Sequence, residues 1–188
     1  MAERSFLERG FADTSMSTIA SELGGSKTTL WSYFPSKDEL FAAVIDSKIE
    51  AFRRVLDEAL IPTGGTTAAL SRFGHAFLNK MMAPQSIALH RLIVAEAGRF
   101  PTVGEAFSRC GPDRVRARLA RYMEEEMAAR RLRAGDPLTA SRQFISLVQA
   151  GCYFDRLWRP LDTLRVNIDE DVAAAIETFM RAWGPVTP

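Results

Sequence analysis

The apolar residues of this 188-residue chain recur at helical spacing from end to end. The segment 36–60 shows the pattern most clearly, in Phe41, Ile45, Ile49, Phe52 and Leu56. Steps of three and four residues place side chains on one face of an α-helix, whereas a half-buried strand needs an alternation that this sequence lacks. Proline and glycine residues separate the helical segments. The pattern predicts an all-α fold of about nine helices.

Composition and charge narrow the class of protein. Hydrophobic residues make up 47% and charged residues 25% of the chain, which is typical of a globular protein. No apolar run reaches the roughly 18 residues of a membrane span, and no signal-peptide pattern follows Met1. We therefore expect a cytoplasmic protein without membrane association, whose two cysteines are reduced. The two histidines and two cysteines form no metal-ligand pattern and no catalytic motif occurs, so we expect no metal, no cofactor and no enzymatic activity.

Residues 14–34 have the pattern of two short helices joined by a tight turn. Ser15 provides an N-cap for a first helix whose apolar side chains are Met16, Ile19, Ala20 and Leu23. Gly24 permits a left-handed exit from that helix, and Ser26 caps a second one. Two short helices around a glycine-containing turn form the helix-turn-helix pattern.

The second of these helices carries no acidic residue on its outer side. The positions predicted to be exposed are Lys27, Thr28, Thr29, Trp31 and Ser32. No carboxylate occurs between Glu22 and Asp38, and hydroxyls, a cation and a helix N-terminus suit contacts with phosphates and base edges. Lys37 begins the next helix, where its charge opposes the helix dipole unless a phosphate lies nearby. The spacing fits DNA binding and fits equally an αα-corner that binds nothing.

Over residues 3–44 the sequence resembles the DNA-binding domain of TetR/AcrR-type transcriptional regulators. The hallmark of that family takes the form Ser26-Lys27-x-Thr29-Leu30-Trp31-x-Tyr33-Phe34-x-x-Lys37. The stretch from Phe11 to Ala20 matches the same domain. A further stretch, from Arg91 to Pro101, resembles one C-terminal subgroup of the family.

The resemblance implies a set of residues that contact double-stranded operator DNA. The set comprises Thr14, Ser15, Ser26, Lys27, Thr28, Thr29, Trp31, Ser32, Tyr33 and Lys37. Within it, Thr14, Ser15 and Lys37 would meet phosphates, and Thr28 and Thr29 would face the major groove. The two aromatic members would brace against the DNA backbone.

The resemblance also implies a domain organisation and a function. A helix-turn-helix DNA-binding domain would occupy residues 1–44, with its motif at about 15–34, and a helical effector-binding and dimerisation domain would occupy 45–188. The function implied is that of a bacterial, homodimeric, ligand-responsive repressor, released from a palindromic operator by a small apolar or aromatic effector. Because the first helix is short against the family pattern, we expect the reading frame to continue upstream of Met1 by about 10–20 codons with a basic arm.

Candidate effector and dimer residues lie in the later helices. The candidates for the effector pocket are Phe73, Phe77, Met81, His90, Phe107, Tyr122, Phe144 and Tyr153, although ordinary core packing accounts for most of them. The candidates for the dimer interface form one stripe, Val172, Ile176, Phe179, Met180 and Trp183, opposite one side of the segment 144–158. The charged run from Arg114 to Glu126 is interpreted as a solvated face.

Two other hypotheses stay open from the sequence. One is an all-helical small-molecule carrier or enzyme that contains an incidental helix pair. The other is a regulator controlled by a protein partner instead of a small molecule.

Overall fold

A computed structural model describes residues 1–24, 27–159 and 166–185 of the chain. The elements in these ranges are eleven α-helices: α1 (Ala2–Arg9), α2 (Met16–Glu22), α3 (Lys27–Tyr33), α4 (Lys37–Ala59), α5 (Gly65–Met82), α6 (Pro84–Glu96), α7 (Pro101–Cys110), α8 (Pro112–Ala128), α9 (Pro137–Gln149), α10 (Cys152–Trp158) and α11 (Ile168–Trp183). The described ranges contain no strand. The all-α fold class predicted from the sequence is confirmed.

The structure has more helices than the nine or so that the sequence predicted. One reason is that residues 137–158 form two helices instead of one. The helical conformation is interrupted at Gly151. The carboxylate of Asp171 caps the start of α10, because it accepts a hydrogen bond from the backbone N–H of Cys152 at 2.8 Å. A Cβ atom on Gly151 would lie 2.0 Å from that carboxylate. Only glycine leaves room for Asp171 at this break.

The chain forms two compact units, each with its own core. The first comprises Met1–Ala51 and Ala88–Asp113, and the second comprises Phe52–Ile87 and the described residues from Arg114 onward. In the first unit, the rings of Phe6, Phe11 and Phe41 pack on one another, with centroid distances of 5.1 to 5.8 Å. All three rings are about 1% exposed, so they anchor α1 and the start of α4 in one core.

The second unit is built around α5, α9 and α11, with α11 packed against both of the others. The ring of Phe144 lies 6.2 Å from that of Phe73 and 5.1 Å from that of Phe179, and all three side chains are fully buried. A Cβ atom on Gly74 would lie 2.9 Å from Val172, so this glycine allows α5 and α11 to approach closely. Among the described helices, none is long and apolar enough to cross a membrane.

Candidate nucleic-acid interface

The helix-turn-helix pattern of the sequence is present as α2 and α3, which pack against each other. Ser15 caps α2, because its hydroxyl oxygen accepts the backbone N–H of Thr18 at 3.0 Å. The buried face of α2 is formed by Met16, Ile19 and Ala20, as the spacing predicted. Leu23, which the spacing also placed on the buried side, is 49% exposed, because α2 ends at Glu22 and the chain turns away there. Gly24 follows with a φ of +66°, a left-handed conformation that glycine adopts without strain.

The outer face of α3 is exposed along its length. Thr28, Thr29 and Ser32 are exposed, Trp31 is 42% exposed and Tyr33 is 74% exposed. Ser26 lies outside the described residues, and so does the side chain of Lys27. Two large aromatic side chains on the same short helix are unusual at this degree of solvent exposure unless the helix binds another molecule. The face therefore has the character of a binding surface.

Two residues of the predicted DNA-contact set have other roles in this structure. Thr14 is only 1% exposed, and its hydroxyl faces the carbonyl oxygens of Gly10 at 2.6 Å and Ser5 at 3.1 Å. Its single O–H is therefore used inside the protein, which corrects the phosphate role that the resemblance implied. Ser15, the next residue, is exposed as well as being the cap of α2.

Lys37 is the second of these residues, because its ammonium group points into the protein. Nζ donates to the carbonyl oxygens of Phe11 at 2.6 Å and Ala12 at 3.2 Å, and lies 4.4 Å from the centre of the Phe11 ring. Two of its three hydrogens are thus used by the connection between α1 and α2. The lysine therefore clamps this connection, and only its third hydrogen remains to donate to a phosphate.

Glu22, the acidic residue that precedes α3 in sequence, has its partners in α1. Glu22 accepts a hydrogen bond from Ser5 and pairs with Arg9 at 2.6 Å. The hydrogen bond from Ser5, followed by that from Arg9, lowers the pKa of Glu22 below its usual value. Its negative charge is therefore compensated by α1, which favours the approach of a polyanion to this face.

The eight candidate pocket residues are divided between the two units. Six belong to the second unit, where they lie in or against one hydrophobic core: Phe73, Phe77, Met81, Tyr122, Phe144 and Tyr153. His90 and Phe107 belong to the first unit and pack on each other with perpendicular rings 5.3 Å apart. Burial lowers the pKa of His90 to about 4, so this side chain is neutral at pH 7. The first unit also contains a small apolar cleft between α1, α4 and α6, and none of the eight residues lines it.

A buried polar cluster that sequence reasoning missed lies in the core of the second unit. Glu126, only 2% exposed, accepts two hydrogen bonds from Arg131, at 2.9 and 2.7 Å, and a third from Thr66. The hydrogen bonds from Arg131 are the main cause that lowers the pKa of Glu126. Its place in a run of three glutamates suggested a solvated position, although helical spacing from Leu119, Tyr122 and Met123 places Glu126 on the buried face of α8.

Tyr122 adjoins this cluster with an unused hydroxyl. The residue is 2% exposed, and its oxygen has no hydrogen-bond partner among the residues that the structure describes. The hydroxyl of the nearby Thr66 donates to Glu126, and its oxygen remains able to accept a hydrogen bond. Burial, together with the charge of Glu126, raises the pKa of Tyr122 to about 12. A neutral O–H donor is therefore buried in the same hydrophobic core as Phe73, Phe77 and Phe144.

The stripe predicted for the dimer interface is partly internal. Val172 and Phe179 are fully buried by the chain's own helices, which corrects their assignment to a surface. Ile176, Met180 and Trp183 are half-buried, and the indole N–H of Trp183 donates to Gln143 at 2.7 Å.

The neighbouring helix α10 presents the more exposed apolar surface. Phe154 is 38% exposed and Trp158 is 74% exposed, and their rings stack 5.6 Å apart. Both lie in the segment 144–158 that the sequence placed opposite the stripe. Over the described ranges, no group of histidine, cysteine and acidic side chains is arranged to hold a metal ion.

Comparison with known families gives two matches that together span most of the chain. Residues 1–44 match a family model described as bacterial regulatory proteins, tetR family. Residues 68–185 match one described as the C-terminal domain of AefR-like transcriptional repressors. A comparison with curated protein sequences finds no match.

Solved structures similar to this chain include the flavonoid-responsive regulator FrrA, with 35% sequence identity and a TM-score of 0.85 over 99% of this chain and 96% of that one. A TetR-family regulator from Mesorhizobium loti has 23% identity and a TM-score of 0.85, over 97% of this chain and 93% of its own. A TetR regulator from Agrobacterium tumefaciens has 23% identity and a TM-score of 0.76, over 98% and 91%. The last two comparisons establish the fold alone.

Proposed function

Because the chain belongs to the TetR family of bacterial regulatory proteins, we propose that it is a homodimeric repressor that leaves its operator when a hydroxylated aromatic effector binds. As a member of this family it is a ligand-responsive, DNA-binding transcriptional regulator and not an enzyme. The operator, the effector class and the dimer surface are the parts that we propose. Since the operator is chromosomal DNA, we place the protein in the cytoplasm.

The exposed face of α3 is the observation that carries the DNA-binding proposal. A recognition helix reads base edges with its outer side chains, and hydroxyl, methyl and aromatic groups are suited to this task. On α3 these groups are Thr28, Thr29, Trp31, Ser32 and Tyr33, all of them exposed. Ser15 at the start of α2 adds a hydroxyl for a phosphate. We infer that Thr14 stabilises the fold of this domain through its internal hydrogen bonds, and that Lys37 has mainly the same role.

The aromatic core of the second unit supports an aromatic effector. Phe73, Phe77 and Phe144 make this core aromatic, and Tyr122 adds a neutral hydroxyl donor near the carboxylate of Glu126; an effector would stack on these rings by parting the packed core. Such a combination would recognise a flat molecule that carries both ring surface and oxygen acceptors. FrrA, which is 35% identical to this chain, is described as flavonoid-responsive. We therefore propose a flavonoid or a similar phenolic compound as the effector.

We propose that α10 and α11 form the dimer interface. Phe154 and Trp158 give α10 an exposed aromatic surface, and Ile176 and Met180 give α11 an apolar edge that its own core covers only in part. A twofold axis would bring the same surfaces of both chains together. Two α3 helices related by that axis would lie about 34–36 Å apart to read adjacent major grooves.

Fluorescence anisotropy with the DNA directly upstream of the coding sequence tests the proposal. We expect tight binding to this fragment, weak binding to random DNA at the same salt concentration, and release by hydroxylated flavonoids. Release by a protein from the host lysate, with no response to small phenols, would favour the alternative regulator. Binding of the flavonoid without any binding of DNA would favour a carrier.

A further inference from the structure

Glu96, the last residue of α6, is joined to the connection between α1 and α2. Its Oε1 atom accepts the backbone N–H groups of Phe11 at 3.1 Å and Ala12 at 3.3 Å. The two partners are 85 and 84 residues away in sequence. One carboxylate oxygen therefore holds two successive peptide groups of the helix-turn-helix domain from a helix outside residues 1–44.

The same two residues are also held through their carbonyl oxygens. Lys37 donates to the carbonyl oxygens of Phe11 and Ala12, so the N–H and C=O groups of both residues are all used. Gly10 makes the approach of Glu96 possible, because a Cβ atom there would lie 3.0 Å from Oε1 and the residue has a φ of +82°. The backbone entering α2 is thus fixed by a pair of oppositely charged side chains from α4 and α6.

Two further contacts come from residues 96–102, which we call the α6–α7 corner. The ring of Phe100 packs at 5.3 Å against that of Phe11. The hydroxyl of Thr102 donates to the carboxylate of Asp38 in the first turn of α4. The corner therefore contacts both the connection that precedes α2 and the helix that follows α3. Residues 96–101 of the corner also lie in the stretch from Arg91 to Pro101, which resembles a subgroup of the family.

We propose that Glu96 is a positioning residue for operator binding, which holds the α2–α3 pair in the orientation that reads DNA. The inference rests on the proposed function. Glu96 acts through the backbone of Phe11 and Ala12. Without it, these two N–H groups turn to water and the entry to α2 takes up other conformations. Apparent affinity falls in proportion to the fraction of dimers in which both chains have a competent orientation, so a fraction of about one in three for each chain, or about one in ten for both, raises the Kd about tenfold.

Three variants that change the net charge equally separate this role from general electrostatics. Glu96→Ala removes the acceptor, whereas Glu96→Gln keeps an amide oxygen that still accepts both N–H groups. Glu105→Ala removes an exposed carboxylate of α7 in the same compact unit. Each variant raises the net charge by one, so the attraction of each to DNA changes by a similar amount. The readouts are the Kd for the upstream fragment, the Kd for random DNA, and amide hydrogen exchange at Phe11 and Ala12.

We expect Glu96→Ala to bind the upstream fragment about tenfold more weakly, with faster exchange at Phe11 and Ala12 and unchanged binding to random DNA. Glu96→Gln and Glu105→Ala should stay within about twofold of the wild type. Wild-type affinity in Glu96→Ala would overturn the inference, and so would an equal loss in Glu96→Gln. A wild-type protein that does not bind its upstream DNA would instead refute the proposed function, so the two failures are distinguishable.

Discussion

The hydroxyl of Tyr33 offers a test of the α3 surface that leaves the fold untouched. Tyr33 is 74% exposed at the end of α3, so replacing it with phenylalanine should change the free energy of unfolding by less than about 0.5 kcal/mol. A hydroxyl that donates to a charged phosphate contributes about 1.5 kcal/mol at the low end. A dimer carries this residue twice, which gives about 3 kcal/mol and a Kd about a hundredfold higher.

Anisotropy titrations with the upstream fragment at one fixed salt concentration measure this effect. Tyr153→Phe provides a matched control, because it removes the same atom from a buried tyrosine of the second unit. Thermal unfolding of both variants checks that the fold is intact. Wild-type affinity in Tyr33→Phe would show that this hydroxyl meets no phosphate. An equal loss in Tyr153→Phe would show that the effect does not arise at the DNA surface.

Three further predictions follow from individual side chains. Lys37→Ala removes the clamp on Phe11 and Ala12, so it should weaken binding to the operator more than binding to random DNA and leave the slope of log K against log salt almost unchanged; an equal loss on both DNAs, with a slope reduced by about one, would show that the lysine acts mainly on a phosphate. Trp158→Ala should raise the dimer dissociation constant about a thousandfold, because two copies of a hot-spot residue are lost. Size exclusion with light scattering measures the mass of the variant, and a dimer as stable as the wild type would contradict this prediction. Burial holds the pKa of His90 at about 4 against 6.5 in a free histidine, so the unfolded chain takes up a proton first as the pH falls. The free energy of unfolding should therefore decrease by up to about 3 kcal/mol between pH 6.5 and pH 4, and His90→Leu should abolish that decrease in acid titrations.

Most of the buried face of α2 and most of the exposed face of α3 were predictable from the sequence because short-range spacing determines them, whereas Leu23 and Tyr33, at the ends of the two helices, are exposed against the apolar pattern. Met16, Ile19 and Ala20 are buried, and Thr29 and Trp31 are exposed, as the helical period requires. The cap at the start of α2 was predictable for the same reason. Local signals of this kind depend only on neighbours within one or two turns.

Roles that depend on distant partners were not predictable. Thr14 and Lys37 belong to the family pattern, yet peptide groups of the connection between α1 and α2 take up their hydrogens. Similarly, periodicity identified the stripe on α11 but not what covers it, and the chain's own core buries Val172 and Phe179. An apolar stripe has the same pattern whether it meets its own subunit or a partner.

Buried carboxylates were the hardest feature to predict from the sequence. Glu126 follows Glu124 and Glu125, which are exposed. Helical spacing places it on the buried face of α8, but only the contacts with Thr66 and Arg131 show how a carboxylate is accommodated there. Such a group is stable in a core only when partners from other elements are present. Sequence alone cannot show that these partners converge.

A hydroxyl-radical footprint of the wild-type protein on its upstream DNA tests the central claim most directly. A dimer that reads DNA through two α3 helices should protect two half-sites, related by twofold symmetry, whose centres are about one helical turn apart. A hydroxylated flavonoid should remove the protection. Protection that has no symmetry, or that covers random DNA equally well at the same salt concentration, would contradict the account.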